Sequence, residues 1–378
     1  MTIETRPSES TVSGALFLSL ELGSTRWKLA FATMRGMRPR HREIVARDLT
    51  GLWDEIRRAK VRFGLPVDAS VRSCYEAGRD GFWLHRALVS QGIANVVVDP
   101  ASIAVDRRAR RAKTDRLDAR ALVIQLMNAA AGDRRGWREV HVPSVQAEAD
   151  RQLQREWDTV RDDRTRVRTR IHGLLVTQGI YLPITSAFGK QLRAVRLWDG
   201  SPLPEELTER LWREWEQLQY VETRRRRLEQ QRRARVAPHR TDVVAQQTRQ
   251  LAGLCGIGLN GALTLTTELF AWRGFTNGRQ VGASVGLTPT PYRSDQSVAE
   301  QGISRSGNRR VRALSIELAW CWLRWQPRSA LSRWFEERFS RHSRARRIGI
   351  VAVARKLMIA LWRFAETGTM PQGAMLKA

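Results

Sequence analysis

From residue 145 to residue 237 the chain keeps an almost unbroken helical period while carrying too much charge to be buried on all sides. The stretches "EADRQLQREWDTVRDDRTRVRTRIHGLL" and "PEELTERLWREWEQLQYVETRRRRLEQQRRARV" flank a Pro- and Gly-containing break at 179–204. A heptad-like apolar stripe on each predicts a long helical hairpin, coiled-coil-like, serving as an arm or dimerisation element. Its plainer alternative is a solvated charged hairpin with no partner. Either way the chain divides into three parts, with the hairpin at 145–240.

Upstream the pattern changes. "ALFLSLELGSTRWKLAF" (15–31) predicts a strand, a turn at Gly23-Ser24 and a second strand. A strand near 70–75, an amphipathic helix over 80–92 and a buried strand at 95–99 follow, and from about 113 the spacing turns helical through "DARALVIQLMNAA". Strands alternating with helices predict an α/β domain over 14–144. Residues 1–13 are polar and predicted to be disordered. Residues 241–370 are predicted to be mainly α-helical with Gly-rich interruptions.

Charge narrows the partner. The 378 residues hold 65 Lys and Arg against 38 Asp and Glu, a net charge of +27. A surplus of that size favours nucleic acid, because neutralising phosphates releases condensed counterions. It is not confined to one tail: residues 151–240 hold 20 basic against 12 acidic residues. No apolar run has the length of a membrane span and no signal peptide opens the chain, so no membrane partner is expected. Three scattered cysteines without a CxxC pair argue against disulfides and structural zinc. The expectation is a soluble, intracellular protein that binds nucleic acid.

Within this basic chain, "RRAKTDRLDAR" (110–120) places Asp115 and Asp118 three residues apart. On a helix they share a face, where two carboxylates repel unless a cation such as Mg²⁺, or Mn²⁺ in its place, lies between them. The bland reading is a helix whose acids offset its arginines. Glu21 lies inside an apolar strand, where an unpaired carboxylate is costly to desolvate. Glu76 follows a later strand, just before Ala77-Gly78. The bland readings are a solvent-facing edge residue for Glu21 and a helix N-terminal acid for Glu76. One carboxylate on the first strand, one ending a later strand and two on the next helix resemble the ligand order of RNase H-like, RuvC-type nuclease domains. Such domains hold two divalent ions about 3.5–4 Å apart at a phosphodiester.

The blocks "LELGSTRWKLAF", "EAGRDGFWLHRAL", "VVDPASIAVDRRARRAKTDRLDA" and "GLTPTPYRSDQSVAEQGISRSGNRRVRALSIELAWCWLRWQP" resemble the transposases of the insertion-sequence one-ten family. These are DEDD recombinases of bacterial mobile elements, guided by a bridge RNA, and the similarity runs from about 15 to 370. The resemblance implies a RuvC-like domain, a coiled-coil-like middle and a C-terminal transposase domain. It implies that Glu21, Glu76, Asp115 and Asp118 are catalytic metal ligands, with Glu21 standing where Asp is usual. Counted from "GLTP" (286–289), it implies Ser294 as the nucleophile that becomes linked to DNA. Asp295 stands where Gly is common, which leaves Ser297 as second candidate. It further implies donor and target DNA, a non-coding guide RNA, and homodimers assembling into a homotetramer with a site composed from different subunits.

Other segments suggest nucleic-acid contacts. "LAGLCGIGLNGALTLTTEL" (251–269) resembles a helix-hairpin-helix, in which Gly256 and Gly258 would offer N–H groups to a phosphate; a glycine turn between packed helices is the alternative. "SRSGNRRVR" offers Arg305, Asn308, Arg309, Arg310 and Arg312 as backbone contacts, with Lys113 just before the acidic pair and Arg116 between its two members as further candidates. Trp320, Trp322 and Trp325 are expected to serve packing and subunit contact. Two rival functions stay open: a RuvC-like structure-selective nuclease that hydrolyses without serine attack, and a non-catalytic nucleic-acid-binding remnant of a transposase.

Overall fold

The computed structural model describes residues 14–103, 115–135, 137–294, 297–340 and 342–377. The segment 1–13, expected to be disordered, lies outside the described residues. The chain is mixed α/β and forms two compact units, Met1–Val142 and Pro143–Ala378.

The first unit is built on strand β1 (Leu16–Leu22), whose sequence LFLSLEL is apolar at nearly every position. A strand covered on both faces has no reason to alternate. Antiparallel β2 (Arg26–Ala32) and β3 (Arg40–Val45) follow on one side, and parallel β4 (Val71–Glu76) and β5 (Ala94–Val98) lie on the other, giving the order β3-β2-β1-β4-β5. Leu16, Leu18 and Leu20 pack with Leu52 and Ile56 of α1 (Leu49–Arg62) and with Leu84 and Leu88 of α2 (Trp83–Ser90). On the opposite face Phe17 packs with Leu122, Val123 and Leu126 of α3 (Asp115–Ala130). Strand β3 and helix α1 add to the sequence expectation. β3 is an edge strand, "RHREIV", with only Ile44 buried, so its pattern is weak.

In the second unit α4 (Val145–Val176) and α6 (Glu205–Arg235) form the hairpin expected from the heptad-like spacing. They run antiparallel, as Arg170–Glu214 (2.8 Å), Arg164–Glu222 and Arg224–Glu156 (2.6 Å) show by their opposed numbering. Val167, Ile171 and Leu175 form a stripe against Leu211 and Leu218, and Phe188 and Leu192 of α5 (Phe188–Ala194) plug its far end. At that tip Tyr181 and Trp198 are 83% and 92% exposed.

Helices α7 (Val243–Ala252), α8 (Leu259–Leu265), α9 (Gly278–Ser284), α10 (Arg309–Trp325), α11 (Ala330–Phe339) and α12 (Ser343–Thr367) enclose the second core. α12 supplies its centre through Ile350, Val353, Ala354, Leu357, Met358 and Leu361. Trp322 lies in that core, its Nε1 donating to Ser329 Oγ (2.9 Å), while Trp320 and Trp325 are exposed. A hairpin of β6 (Pro289–Ser294) and β7 (Ser297–Ile303) interrupts the helices, where the sequence suggested only Gly-rich breaks. Pro289 and Pro291 account for it, since proline is excluded from helix interiors.

A buried carboxylate joins these parts. Glu268, 2% exposed, lies in the π-helical turn Thr266–Phe270 that continues α8. Arg155 of α4 donates to both its oxygens (2.7 and 2.8 Å), and Asn308 Nδ2 donates to Oε2 (3.0 Å). Arg310 pairs with Asp158 of α4 (2.6 Å) and approaches Glu268 (3.9 Å). Alongside, Arg232 of α6, 1% exposed, lies over Trp157 (4.0 Å) and donates to Gln154 Oε1 (3.0 Å) and Asn260 Oδ1 (3.2 Å). Burial alone would raise the Glu268 carboxyl, but the hydrogen bond and charge of Arg155, with Asn308, outweigh it and hold the group below the ordinary glutamate value. Its contribution is therefore present above the unfolded value and lost as pH falls through the lower folded one. Glu268→Ala is expected to lower stability by about 3 kcal/mol, the low end for a broken buried pair because Arg155 keeps contact with water. Urea unfolding at neutral pH reads that loss, and the gap between parent and variant should close on acidification.

Candidate active site and nucleic-acid contacts

Strands β1 and β4 run parallel with Leu20 opposite Tyr75, so the next residues, Glu21, next to last in β1, and Glu76, last in β4, are in phase. Both are half-buried and both line a cavity of about 330 Å³ with Gly23, Ser24, Gly78 and Asp80. Across β2, the register sets Lys28 opposite Glu21. Glycine is required at 23 because a Cβ there would collide with the Arg26 carbonyl in the β1–β2 turn. On the other side of the cavity, Tyr75 Oη donates to the Gly81 carbonyl (3.1 Å) and accepts the His85 N–H (3.3 Å), pinning the loop after β4. Asp80 is held there by Arg47 (3.5 Å) and Arg79 (3.4 Å).

Helix α3 crosses this edge of the sheet. Ser19 Oγ donates to the Ala119 carbonyl (2.6 Å), fixing the helix over β1. Two residues further along β1, on the same face, is Glu21. One turn back along α3 is Asp115, the first helical residue. Helix α3 thus begins one turn before its contact with β1. The side chains of Asp115, Arg116 and Asp118, and all of Lys113, lie outside the described residues. Among the described residues no group of three or more His, Cys, Asp or Glu could hold a metal. Beneath the acids, burial and then the charge of Glu76 push the Cys74 thiol well up, so it stays neutral.

The second candidate group sits on the β6–β7 hairpin. Ser294 ends β6 and pairs with Ser297, the first residue of β7, so both candidates lie at one tip; their side chains and Asp295 lie outside the described residues. The base of the hairpin is tightly interlocked. Gly286 and Gly307 both have positive φ (69° and 90°), and a Cβ would strike the Ser306 carbonyl from Gly286 and the Ser284 carbonyl from Gly307. The Asn308 N–H donates to Ser284 O (2.9 Å), and Arg312 donates to the carbonyls of Val285 (3.2 Å) and Arg305 (2.9 Å).

Of the residues offered for nucleic acid in "SRSGNRRVR", Arg305 and Arg309 are exposed. Arg312 holds the hairpin base, Arg310 is paired inward, and Asn308 caps α10 by accepting the Val311 N–H (3.2 Å). Gly256 (φ 83°) and Gly258 lie in the turn between α7 and α8, where a Cβ at 256 would press on the Cys321 carbonyl and Trp325 of α10. The chain's own C-terminus covers that turn: Lys377 Nζ donates to the carbonyls of Ala252 (2.5 Å) and Ile257 (2.7 Å). The sequence reading passed over Glu268. Its signal was available, a lone carboxylate in the apolar run "LTLTTELF", the same argument that picked out Glu21.

Residues 248–334, which include Glu268, the β6–β7 hairpin and α10, match the family described as Transposase IS116/IS110/IS902. Over 96% of this chain and 95% of the relative, the sequence is 37% identical to "Putative transposase y4rJ" of Sinorhizobium fredii. It is 30% identical to "Putative transposase y4qE" of the same organism over 68% of this chain and 59% of that one. It is 26% identical to "Transposase for insertion sequence element IS1328" of Yersinia enterocolitica over 57% of this chain and 63% of that one.

Gly307→Ala should strain the hairpin base by about 1–3 kcal/mol, the scale of a residue forced into an unfavourable backbone region. Thermal unfolding should fall accordingly, and limited proteolysis should open new cuts within 286–308. Gly173→Ala, in the last turn of α4 with open space around its Cβ, should instead stabilise by about 0.5 kcal/mol, the low end for a helical glycine.

Proposed function

The chain belongs to the IS116/IS110/IS902 family of transposases, and we propose that it cuts DNA strands and exchanges them through a covalent phosphoserine link, at sites chosen by a structured non-coding RNA. The reading rests on one observation: Glu21, next to last in β1, and Glu76, last in β4, stand in phase on adjacent parallel strands and line one cavity, on the sheet face over which Ser19 holds α3. The sheet order β3-β2-β1-β4-β5, an antiparallel meander followed by parallel strands, supports reading this unit as RNase H-like and RuvC-type.

The donors present suit a divalent ion. Glu21 and Glu76 offer hard oxygen ligands, and Asp115 and Asp118 add two more, which is the chemistry Mg²⁺ or Mn²⁺ takes. When bound, such ions supply activation of the attacking oxygen and stabilisation of the leaving one. Ser294 Oγ attacks the phosphodiester, with Ser297 the second candidate. The new O–P bond replaces the bond to one strand end, whose oxygen leaves with a proton. A second strand end then reverses the step and frees the serine. Carrying the nucleophile at a hairpin tip, on a base locked by Gly286, Gly307 and Arg312, keeps its approach reproducible. The basic surface supports DNA and RNA as partners, with sequence choice left to base pairing while the protein holds the backbone. Homodimers joined into a tetramer, with the α4–α6 hairpin as arm, complete the proposal.

The test is adduct formation. The protein is incubated with RNA transcribed from the sequence flanking its gene, labelled donor and target DNA, and Mg²⁺, then resolved on a denaturing gel. A protein-linked DNA band is expected, reduced at least about a hundredfold in Ser294→Ala and in Asp115→Asn. Cleavage without adduct, unchanged in Ser294→Ala, would establish a hydrolytic nuclease instead. Binding without any cleavage, indifferent to Mg²⁺, would establish a non-catalytic protein.

A further inference from the structure

Two strands away from Glu21, β3 and α1 meet along a groove of about 570 Å³ lined by Arg40, Arg42, Arg57, Arg58, Val61 and Arg62. Arg40 and Arg42 are two apart on β3 and share the face on which Ile44 packs against α1. Arg58 and Arg62 are one turn apart on α1. Each pair therefore forms a short row, with a step of about 6–7 Å between backbone positions from strand and helix geometry.

The groove holds more positive charge than its own acids answer. Glu55 accepts hydrogen bonds from Arg40 (3.3 Å) and Arg58 (2.9 Å) and forms an ion pair with Arg42 (3.3 Å). Arg57 pairs with Asp54. Among the described residues Arg62 has no ion pair, and the buried Nε of Arg40 has no hydrogen-bond acceptor. Arg40 is otherwise well held, donating to the Arg58 carbonyl (3.0 Å). Burial, then the charge of Arg42, pulls its guanidinium below the ordinary value, with Arg62 and Arg58 adding to the effect against Glu55. Five guanidiniums against two carboxylates repel one another along a shallow, open groove, and an anion with several oxygens relieves that repulsion while offering acceptors.

We infer that this groove binds consecutive phosphates of a nucleic-acid backbone, as a contact separate from the arginines of "SRSGNRRVR". A polyanion with regularly spaced charges suits two rows of guanidiniums better than a single small anion does, and guanidinium is the side chain best shaped for phosphate oxygens. The inference rests on the proposal that the chain works on nucleic acid. Because it needs no base contact, it adds affinity and register without specifying sequence.

The test compares the parent with full-length Arg42→Gln/Arg58→Gln/Arg62→Gln, which leaves the structural Arg40 in place, and checks folding by circular dichroism. Affinity is measured against salt for duplex DNA, single-stranded DNA and a structured RNA. For the probe that occupies the groove, the slope of log affinity against log salt should fall by about 2–3, since each phosphate contact contributes about 0.9 on duplex DNA and 0.7 on a single strand. The probe that loses slope identifies the strand type. An unchanged slope for all three probes would overturn the inference. So would an equal loss in Arg210→Gln/Arg213→Gln/Arg226→Gln on α6, because net charge alone would then explain the effect. A parent that binds but forms no adduct would defeat the proposed strand exchange and leave the groove standing; one that forms adduct, with a triple variant unchanged in slope, would defeat the groove alone.

Discussion

The buried carboxylate of Glu268 is the interaction on which the second unit depends. Taking a charge out of water is costly, and the cost is offset only when its partners are fixed in place. Here those partners come from two elements: Arg155 from the root of the helical hairpin, and Asn308 and Arg310 from the cap and first turn of α10. Asn308 also holds Ser284 through its backbone N–H, so the same set of bonds reaches the base of the β6–β7 hairpin. A hydrophobic core could join these elements, but it would not dictate their relative rotation as directed hydrogen bonds do.

In the first unit the controlling constraint is pleat parity. Because β1 and β4 are parallel and in register, Glu21 and Glu76 fall on one face together with Ser19 and Cys74. That is the face α3 covers, through Ala119 and Leu122. A slip of one residue in either strand would turn its carboxylate to the opposite face, toward α1 and α2. The burial of β1 on both sides makes such a slip expensive, so the strand that carries the acid is also the one least free to move.

Elements with a strong period were legible from the residues alone. The β1–β2 hairpin, β4, α2, β5 and the two long helices α4 and α6 all lie where apolar spacing put them. Strand β3 and helix α1 escaped because they sit at the sheet edge, where arginines take positions that a central strand would fill with Val or Leu. The β6–β7 hairpin escaped because its segment mixes Pro, Ser and Gln without alternation. Of the candidate site residues, Glu21 and Glu76 stand out in the sequence because an acid in or just after an apolar strand is unusual; Ser294 is a candidate through family resemblance alone, since a turn serine carries no distinctive signal. The arginines of α10 were the hardest to read. A basic run looks the same whether its members face outward, as Arg309 does, or inward, as Arg310 does, because the carboxylates that select them lie 152 and 42 residues away, at Asp158 and Glu268.

Among the described residues the helical hairpin is fastened at its root. Its root is clamped at Gln154, Arg155, Asp158 and Arg232, while the tip carries the exposed Tyr181 and Trp198. From Arg155 to the end of α4 the shaft extends roughly 30 Å at 1.5 Å per residue, so a tilt of about 5° at the clamp displaces the tip by about 3 Å. The molecule thereby contains a lever with its fulcrum in a polar network. A rearrangement of bond length at Glu268 becomes a displacement the size of a side-chain contact at the far end, and a load applied at the tip returns to the carboxylate with the same mechanical advantage.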